Sequence, residues 1–268
     1  MRKISRVRIF IDSYTDLPKG WIKKYNLGII PSYKVSQAPQ LNDLVQMFSP
    51  IISKGKDILY ISVLPKQCST YQTALLAANE FPESRVSIVD SINVLPILAL
   101  SVVLATQKLN EAMSSLNIAD WLKTVHQEIK LDALINNSHY HYKNRKEINF
   151  RYLLCRMFRT RRTLHVNNGY LFLGMKYIGR KNNIAKRFLK KLLTDIHRID
   201  HDHLIIVHTF EEELARWMQK FILAETNIRE VLVVEGGVLT CNQLGSHNFA
   251  ISYILNSSPL SMSSPKLS

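Results

Sequence analysis

Short blocks of apolar residues alternate with polar ones along the first half of the chain, and the period of the pattern changes from block to block. Val7 to Ile11 is a β-branched and aromatic run closed by Asp12-Ser13, which reads as a strand. Pro18 then opens a helix over Lys19–Tyr25, as proline does in a first turn. Leu27 to Ile30 reads as a second strand, stopped by Pro31. Leu41 to Ser53 places Leu41, Leu44, Val45, Phe48, Ile51 and Ile52 at helical spacing, and Gly55 ends that helix. Ile58 to Val63 is an unbroken apolar run of strand length, as expected for a strand buried on both faces. Helices over Thr70–Phe81, Leu95–Ala112 and Asp120–Ile129 and a strand over Val86–Val89 complete this half. Such alternation predicts a mainly parallel sheet with helices on both faces.

The second half has a different grammar. Leu164–Asn167 and Tyr170–Ile178 read as strands joined through Asn167-Asn168-Gly169, a strong hairpin signal. A basic helix over Ile184–Ile199, strand Leu204–Thr209, helix Glu211–Ala224 and strand Val231–Glu235 follow. The pattern predicts an α/β chain of two domains. Residues 1–135 form a parallel α/β N-terminal domain, and residues 136–256 a mixed α/β C-terminal domain with a basic surface. The Ser/Pro-rich stretch 257–268 reads as a disordered tail.

Composition sharpens this picture. The 268 residues are 46% hydrophobic and 21% charged, a globular balance that excludes a disordered chain or a fibre. The formal net charge of +14 favours anionic partners. The three cysteines, Cys68, Cys155 and Cys241, are widely spaced, which fits a reducing compartment better than a disulfide framework. The basic start runs into only a few apolar residues before Asp12, too few for a signal-peptide core. The longest apolar stretch, Val94–Thr106, falls short of the ~20 residues that span a bilayer. A soluble cytoplasmic protein is therefore expected. Lys and Arg dominate residues 143–191, where Glu147 is the only acid. That block could face nucleic acid or make transient contact with an anionic membrane, but a solvated face or one docking an acidic protein is the expected reading. His197 and His201 have helical spacing, yet Asp200–Asp202 read as a turn, so no metal set and no cofactor are expected.

Four segments carry candidate chemistry. Asp12 to Pro18 follows the first strand, at the edge of a parallel sheet where ligands gather. The bland alternative is that Thr15 or Asp16 caps the next helix. Cys68-Ser69-Thr70 precedes a helix whose N-terminal N–H groups can hold a carboxylate or phosphate. Cys68 is a weak nucleophile candidate, since no base is assigned beside it. Asp90-Ser91 repeats the strand-end pattern of Asp12-Ser13, and the two ends could line one crevice. Gly236-Gly237 and Asn242-Gln243-Leu244-Gly245-Ser246-His247 read as glycine-bearing turns that let backbone approach a ligand.

Taken in order, these segments resemble the DegV family of bacterial fatty-acid-binding proteins. Asp12-Ser13-Tyr14-Thr15-Asp16-Leu17-Pro18 is similar to the family's "DS-x-x-DLP", and Val35-Ser36-Gln37-Ala38-Pro39 to its "TTSQPS" loop. Ser69-Thr70-Tyr71-Gln72-Thr73-Ala74 is similar to "SGTYQSA", and Val89-Asp90-Ser91 to "IDS". The resemblance implies a non-catalytic lipid-binding protein of two α/β domains. An acyl chain would lie in an apolar tunnel, with its carboxylate held near the cleft and presented to a separate fatty-acid kinase. The ligand-binding residues it implies are Lys34, Ser36, Cys68, Ser69, Thr70, Asn242, Gln243 and Gly245. Several of these depart from the family pattern. Cys68 stands where the family has a serine, and Ser69 where it has a glycine. Lys34 and Val35 stand where it has threonines. Arg145 to Asn149 replaces "GGRIS", and the "HTGPG" loop falls at Asn242–Ser246 without its histidine and proline. Such drift leaves open an alternative, a paralogue without ligand that acts as an interaction protein through its basic face.

Overall fold

The computed structural model describes residues 6–31, 39–62, 69–90, 95–111, 113–136, 160–167 and 170–255. Lys34, Ser36, Cys68, the part of the basic block between 143 and 159, and the tail 257–268 lie outside the described residues.

Strands β1 (Val7–Asp12), β2 (Gly28–Ile30), β3 (Asp57–Ser62) and β4 (Val86–Asp90) form an all-parallel sheet in the order β2-β1-β3-β4. Central β3 is the strand with the unbroken apolar run, and Ile58 to Ile61 are fully buried. Helices α1 (Trp21–Lys24), α2 (Leu41–Ile52) and α3 (Ser69–Asn79) connect these strands. The α2 start is capped by the Asp43 carboxylate, which accepts the Gln40 N–H at 2.9 Å. Phe10, Ile30, Ile58 and Tyr60 pack from one face of the sheet against Leu44 and Phe48 of α2 and Ala74 and Ala77 of α3.

Helix α4 (Leu95–Asn110) occupies the middle of the molecule, and Ile97 to Thr106 are buried on every side. It packs against β3 of the first sheet and against strands β5 (Ile129–Asn136), β8 (His203–His208) and β10 (Phe249–Ile254) of the second. A helix buried all round must lie inside a core, and here that core is common to both sheets. Helix α5 (Ser115–Val125) packs against β3 and β4 beside it.

The second sheet has six strands in the order β7-β6-β5-β10-β8-β9, with β6 spanning Thr160–Asn167, β7 Tyr170–Ile178 and β9 Glu230–Glu235. It is mixed, because only β8 and β9 pair parallel and the other pairs are antiparallel. Its outer face carries α6 (Lys181–Leu192), a 3₁₀ turn over Leu193–Arg198 and α7 (Glu212–Glu225). A last short helix, α8 (Val238–Leu244), leads into β10. The layers therefore run helices, parallel sheet, shared helices, mixed sheet, helices.

Three elements correct the sequence reading. Residues 129–136 are a strand, and α5 starts at Ser115 because the Ser114 hydroxyl accepts the Asn117 N–H at 3.2 Å. The chain thus enters the second sheet at Ile129, ahead of the boundary expected at 136. The inner face of β5 is Ile129, Leu131, Ala133 and Ile135, while Lys130 and Asp132 point to the outer layer. The segment after Gly236-Gly237 is helix α8 rather than a pair of turns, and Phe249 to Ile254 form a central strand that the pattern did not mark.

Candidate functional site

The carboxyl ends of the parallel strands and one end of the mixed sheet meet along a seam between the two lobes. On the first lobe, β1 delivers Asp12 and β3 delivers Tyr60 and Ser62 to this edge. Asp12 is almost fully buried. Its carboxylate accepts the Tyr60 hydroxyl at 2.7 Å and the Ser62 hydroxyl at 3.2 Å. Tyr60 also lies 3.1 Å from the Ser62 Oγ. This triad is a buried, hydrogen-bonded network at the strand edge. Because β3 stands between β1 and β4, the ends at Asp12 and Asp90 are not neighbours.

Asp16 crosses the seam. Its carboxylate accepts the Gly237 N–H at 2.8 Å and the Thr240 hydroxyl, at the start of α8 in the other lobe. Capping was the right chemistry for Asp16, but the helix it caps lies at the far end of the chain rather than next to it. A side chain at Gly237 would come within 2.9 Å of the Asp16 carboxylate, and one at Gly236 within 2.7 Å of Thr240. The two glycines therefore let the lobes close on one another. Burial raises the Asp16 pKa above the ordinary carboxylate value, against the lowering effect of its two donors. The neighbouring Cys241 thiol is pushed up as well, by burial first and then by Asp16 and Glu235. It is a poor nucleophile.

Beside this tie, Thr209 welds the end of β8 to the loop before β10. Its hydroxyl donates to the Gly245 carbonyl at 2.7 Å and accepts the Asn248 N–H at 3.0 Å. The Thr209 carbonyl accepts the His247 N–H at 2.8 Å. Phe210 and His247 both adopt left-handed backbone, with φ of 57° and 61°, and their rings meet at 6.2 Å. Two non-glycine residues in that region, side by side, mark a loop whose shape is imposed by its surroundings.

Glu211 sits under this loop with its side chain almost fully buried. It accepts from Lys181 Nζ at the start of α6 and lies 3.2 Å from His247 Nδ1. Arg161, at the start of β6, is buried and donates to the His247 carbonyl at 3.0 Å. Burial lowers the Arg161 pKa and Glu211 partly offsets that, but a guanidinium stays charged. Lys181 and the His247 imidazole thus meet one buried carboxylate, whose charge Arg161 feels from close by. Burial also lowers the His208 pKa, so its neutral ring accepts the Glu211 N–H at 3.3 Å.

Of the residues expected from sequence, Ser69 is exposed and Thr70 buried in the first turn of α3. Asn242 is exposed on α8, and Gly245 closes that helix. Gln243 belongs to α8. Among the described residues no hydrogen bond joins the Ser69-Thr70 turn to Asn242 or Gly245, and Asp16 bridges the lobes instead. Lys34, Ser36 and Cys68 lie outside the described residues. Arg161, Lys181, Thr209, Glu211 and His247 were missed as a group, because they come from separate strands and turns. The available signals were the acid that heads the Glu211-Glu212-Glu213 run after His208-Thr209-Phe210, and His247 at the end of a glycine turn. Among the described residues, no group of three or more His, Cys, Asp and Glu side chains could hold a metal ion. No helix among them is long and apolar enough to cross a membrane.

Residues 32–256 match the family model described as "Uncharacterised protein, DegV family". Among curated proteins, the chain is 22% identical to a fatty acid-binding protein of Thermotoga maritima, with 88% of this chain and 93% of the relative covered. Among solved structures, it is similar to a DegV family protein from Thermus thermophilus described for fatty acid binding. The TM-score is 0.71 at 17% identity, covering 93% of this chain and 99% of the other. It is also similar to the fatty acid kinase B3 protein of Streptococcus pneumoniae loaded with linoleic acid. There the TM-score is 0.68 at 13% identity, covering 93% and 99% of the two chains. At such identities the likeness establishes the fold.

Proposed function

The chain belongs to the DegV family, and on that premise we propose that it binds a long-chain fatty acid or similar amphiphile, catalyses nothing itself, and presents the carboxylate to a separate fatty-acid kinase. The observation that supports this most is the charge balance at the seam. Lys181 pairs with the Glu211 carboxylate, Arg161 lies close enough to feel its charge, and His247 stands at the surface above it. Such a spot attracts an anionic headgroup and spares it the cost of burial without a partner. In this reading Ser69 and Thr70 supply hydroxyls at a helix N-terminus from one side, and Lys34, Ser36 and Cys68 serve the same headgroup. Asn242, Gln243 and Gly245 close the other side. Cys68 is a weaker donor than the serine of the family pattern, and Lys34 offsets that loss with a full charge.

The test is mass spectrometry of lipids extracted from the purified native protein, followed by uptake of oleate and palmitate. A stoichiometric fatty acid, or saturable uptake that falls on His247→Ala, is the expected result. Protein that comes empty and takes up neither acid overturns the proposal.

One observation favours a second reading, an interaction protein without ligand. Helix α6 buries Ile184, Ala185, Phe188 and Leu189 and turns Lys186, Arg187, Lys190 and Lys191 to solvent. That face suits an acidic partner. Lys181 is excluded from it by its bond to Glu211. Pull-down from lysate that is lost on charge reversal at these four positions, with no lipid bound, would favour this reading over the first.

A further inference from the structure

The outer face of the mixed sheet holds a cavity of about 210 Å³, between β5, β6, β7 and β10 on one side and α6 with its 3₁₀ turn on the other. It lies along the outer face beyond the seam cluster, with Thr163 two residues past Arg161 on β6. Tyr253 in its floor lies four residues down β10 from Phe249, about 13 Å at ~3.3 Å per residue. The sheet itself separates it from the α4 layer.

Its floor is polar and organised. The Asp132 carboxylate accepts the Tyr253 hydroxyl at 2.6 Å and is bonded through its other oxygen to His165 Nδ1. That bond raises the His165 pKa, and protonation of the ring leaves Nε2–H as a donor. The Thr163 hydroxyl next to it is buried and has no partner. A buried hydroxyl without a partner costs free energy and calls for an explanation.

The backbone explains why the space exists. The register of β6 and β7 shifts between Arg162 and Leu164, an irregularity of the kind that re-aims side chains in sheets. Gly174 stands opposite it. A Cβ there would come within 2.3 Å of both the Thr163 Oγ1 and the His165 Nε2. The Gly174 backbone thus packs close against both groups and leaves no room there for a side chain. Tyr177 and Phe188 supply aromatic walls, and Lys191 and Arg198 stand exposed at the rim with Asp195 between them. Asp132 is already engaged, so free donors and cations outweigh the one remaining carboxylate. The volume lies below the ~300 Å³ at which drug-sized pockets begin, so it suits a compact molecule and not a long acyl chain.

We propose that this cavity is a second binding site, for a small aromatic carboxylate whose oxygens meet Thr163, His165 and the Lys191–Arg198 rim while its ring lies against Tyr177 and Phe188. It does not depend on what the seam binds. The polar floor is unsuited to the methyl end of a lipid.

Benzoate is the probe, titrated into the full-length protein by calorimetry while the His165 ring and Met175 methyl signals are followed by NMR. Saturable binding that shifts both signals is expected, unchanged by saturating oleate. Gly174→Ala forces Thr163 and His165 out of their places in the floor and should weaken binding by about tenfold or more. Thr163→Val should weaken binding severalfold while leaving the unliganded protein as stable or more so, since it removes an unsatisfied hydroxyl. A hydroxyl with only a structural role would instead lose stability and leave affinity alone. Should Gly174→Ala not fold, Thr163→Val and the exposed Lys191→Ala carry the test. No shift at millimolar benzoate, unchanged affinity in these variants, or displacement of benzoate by oleate would overturn the proposal.

Discussion

Replacing Asp16 tests whether one carboxylate holds the lobes together. Asp16→Ala removes the acceptor for two donors at the start of α8, the Gly237 N–H and the Thr240 hydroxyl. Thr240 is fully buried, so its stranded hydroxyl costs about 1–3 kcal/mol. Gly237 is exposed, and water can replace its bond, which limits that loss to about 0.5–1.5 kcal/mol. The wild-type carboxylate already bears a burial penalty, as its raised pKa shows, and the variant escapes it. The net expectation is a loss of about 2–3 kcal/mol. Asp16→Asn keeps the shape. Its amide oxygen can take the Gly237 N–H, and its NH₂ can donate to a Thr240 hydroxyl turned around. It should stay within about 1 kcal/mol of wild type at neutral pH. The two also differ with pH. A carboxylate whose folded pKa is raised contributes stability fully present below the unfolded value of 3.8, and lost as pH rises through the folded pKa. Wild type should therefore gain on Asp16→Asn as the solution is acidified toward that value. Urea unfolding across that range reads the stability, and hydrogen exchange at Gly237 reads the local contact. An alanine variant as stable as wild type, or an asparagine variant as damaged as alanine, would refute the reasoning.

Other residues give sharper single readouts. Burial lowers the His126 pKa to about 4, and its Nε2 lies 2.8 Å from the Ser101 hydroxyl. The ring is neutral in the fold, so stability should be present above pH ~6.5 and fall by up to about 3 kcal/mol as pH drops toward 4. Urea titrations of His126→Gln should show a flatter pH profile than wild type. Tyr60→Phe removes a donor from buried Asp12 and should cost about 1.5–3 kcal/mol, read from the urea midpoint at constant slope. Leu98→Ala opens a cavity in the helix shared by both sheets, and should cost about 2–5 kcal/mol in one unfolding transition. Two separated transitions in that variant would mean that α4 does not couple the lobes.

Much of the fold was legible locally. The buried run of β3, the helical stripe of α2 and the wholly apolar α4 each announced themselves, because burial on one face or all faces dictates residue type along a continuous stretch. The hairpin strands β6 and β7 were visible for the same reason. Strand β5 was not, since Lys130 and Asp132 face the outer layer, where Asp132 is satisfied by His165 and Tyr253 from other strands. Helix α8 is too short for periodicity to mark, and β10 reads as one more apolar stretch until its neighbours on both sides are known.

The site divides along the same line. Asp12-Ser13-Tyr14-Thr15-Asp16, the α3 start at Ser69-Thr70 and the turn at Gly245 stood out in the chain, because strand ends and helix starts have local chemical signatures. Which groups those signatures serve was decided in three dimensions. Asp16 caps a helix 221 residues away, and Glu211 gathers Arg161, Lys181 and His247 from separate elements. The close packing of Thr163 and His165 against the next strand depends on the absence of a side chain at Gly174. Residue type and spacing prescribe local conformation, since backbone sterics and the apolar period act over a few neighbours. Hydrogen bonds and charge pairs act across a few ångströms of space, and only the folded sheets bring those partners within reach.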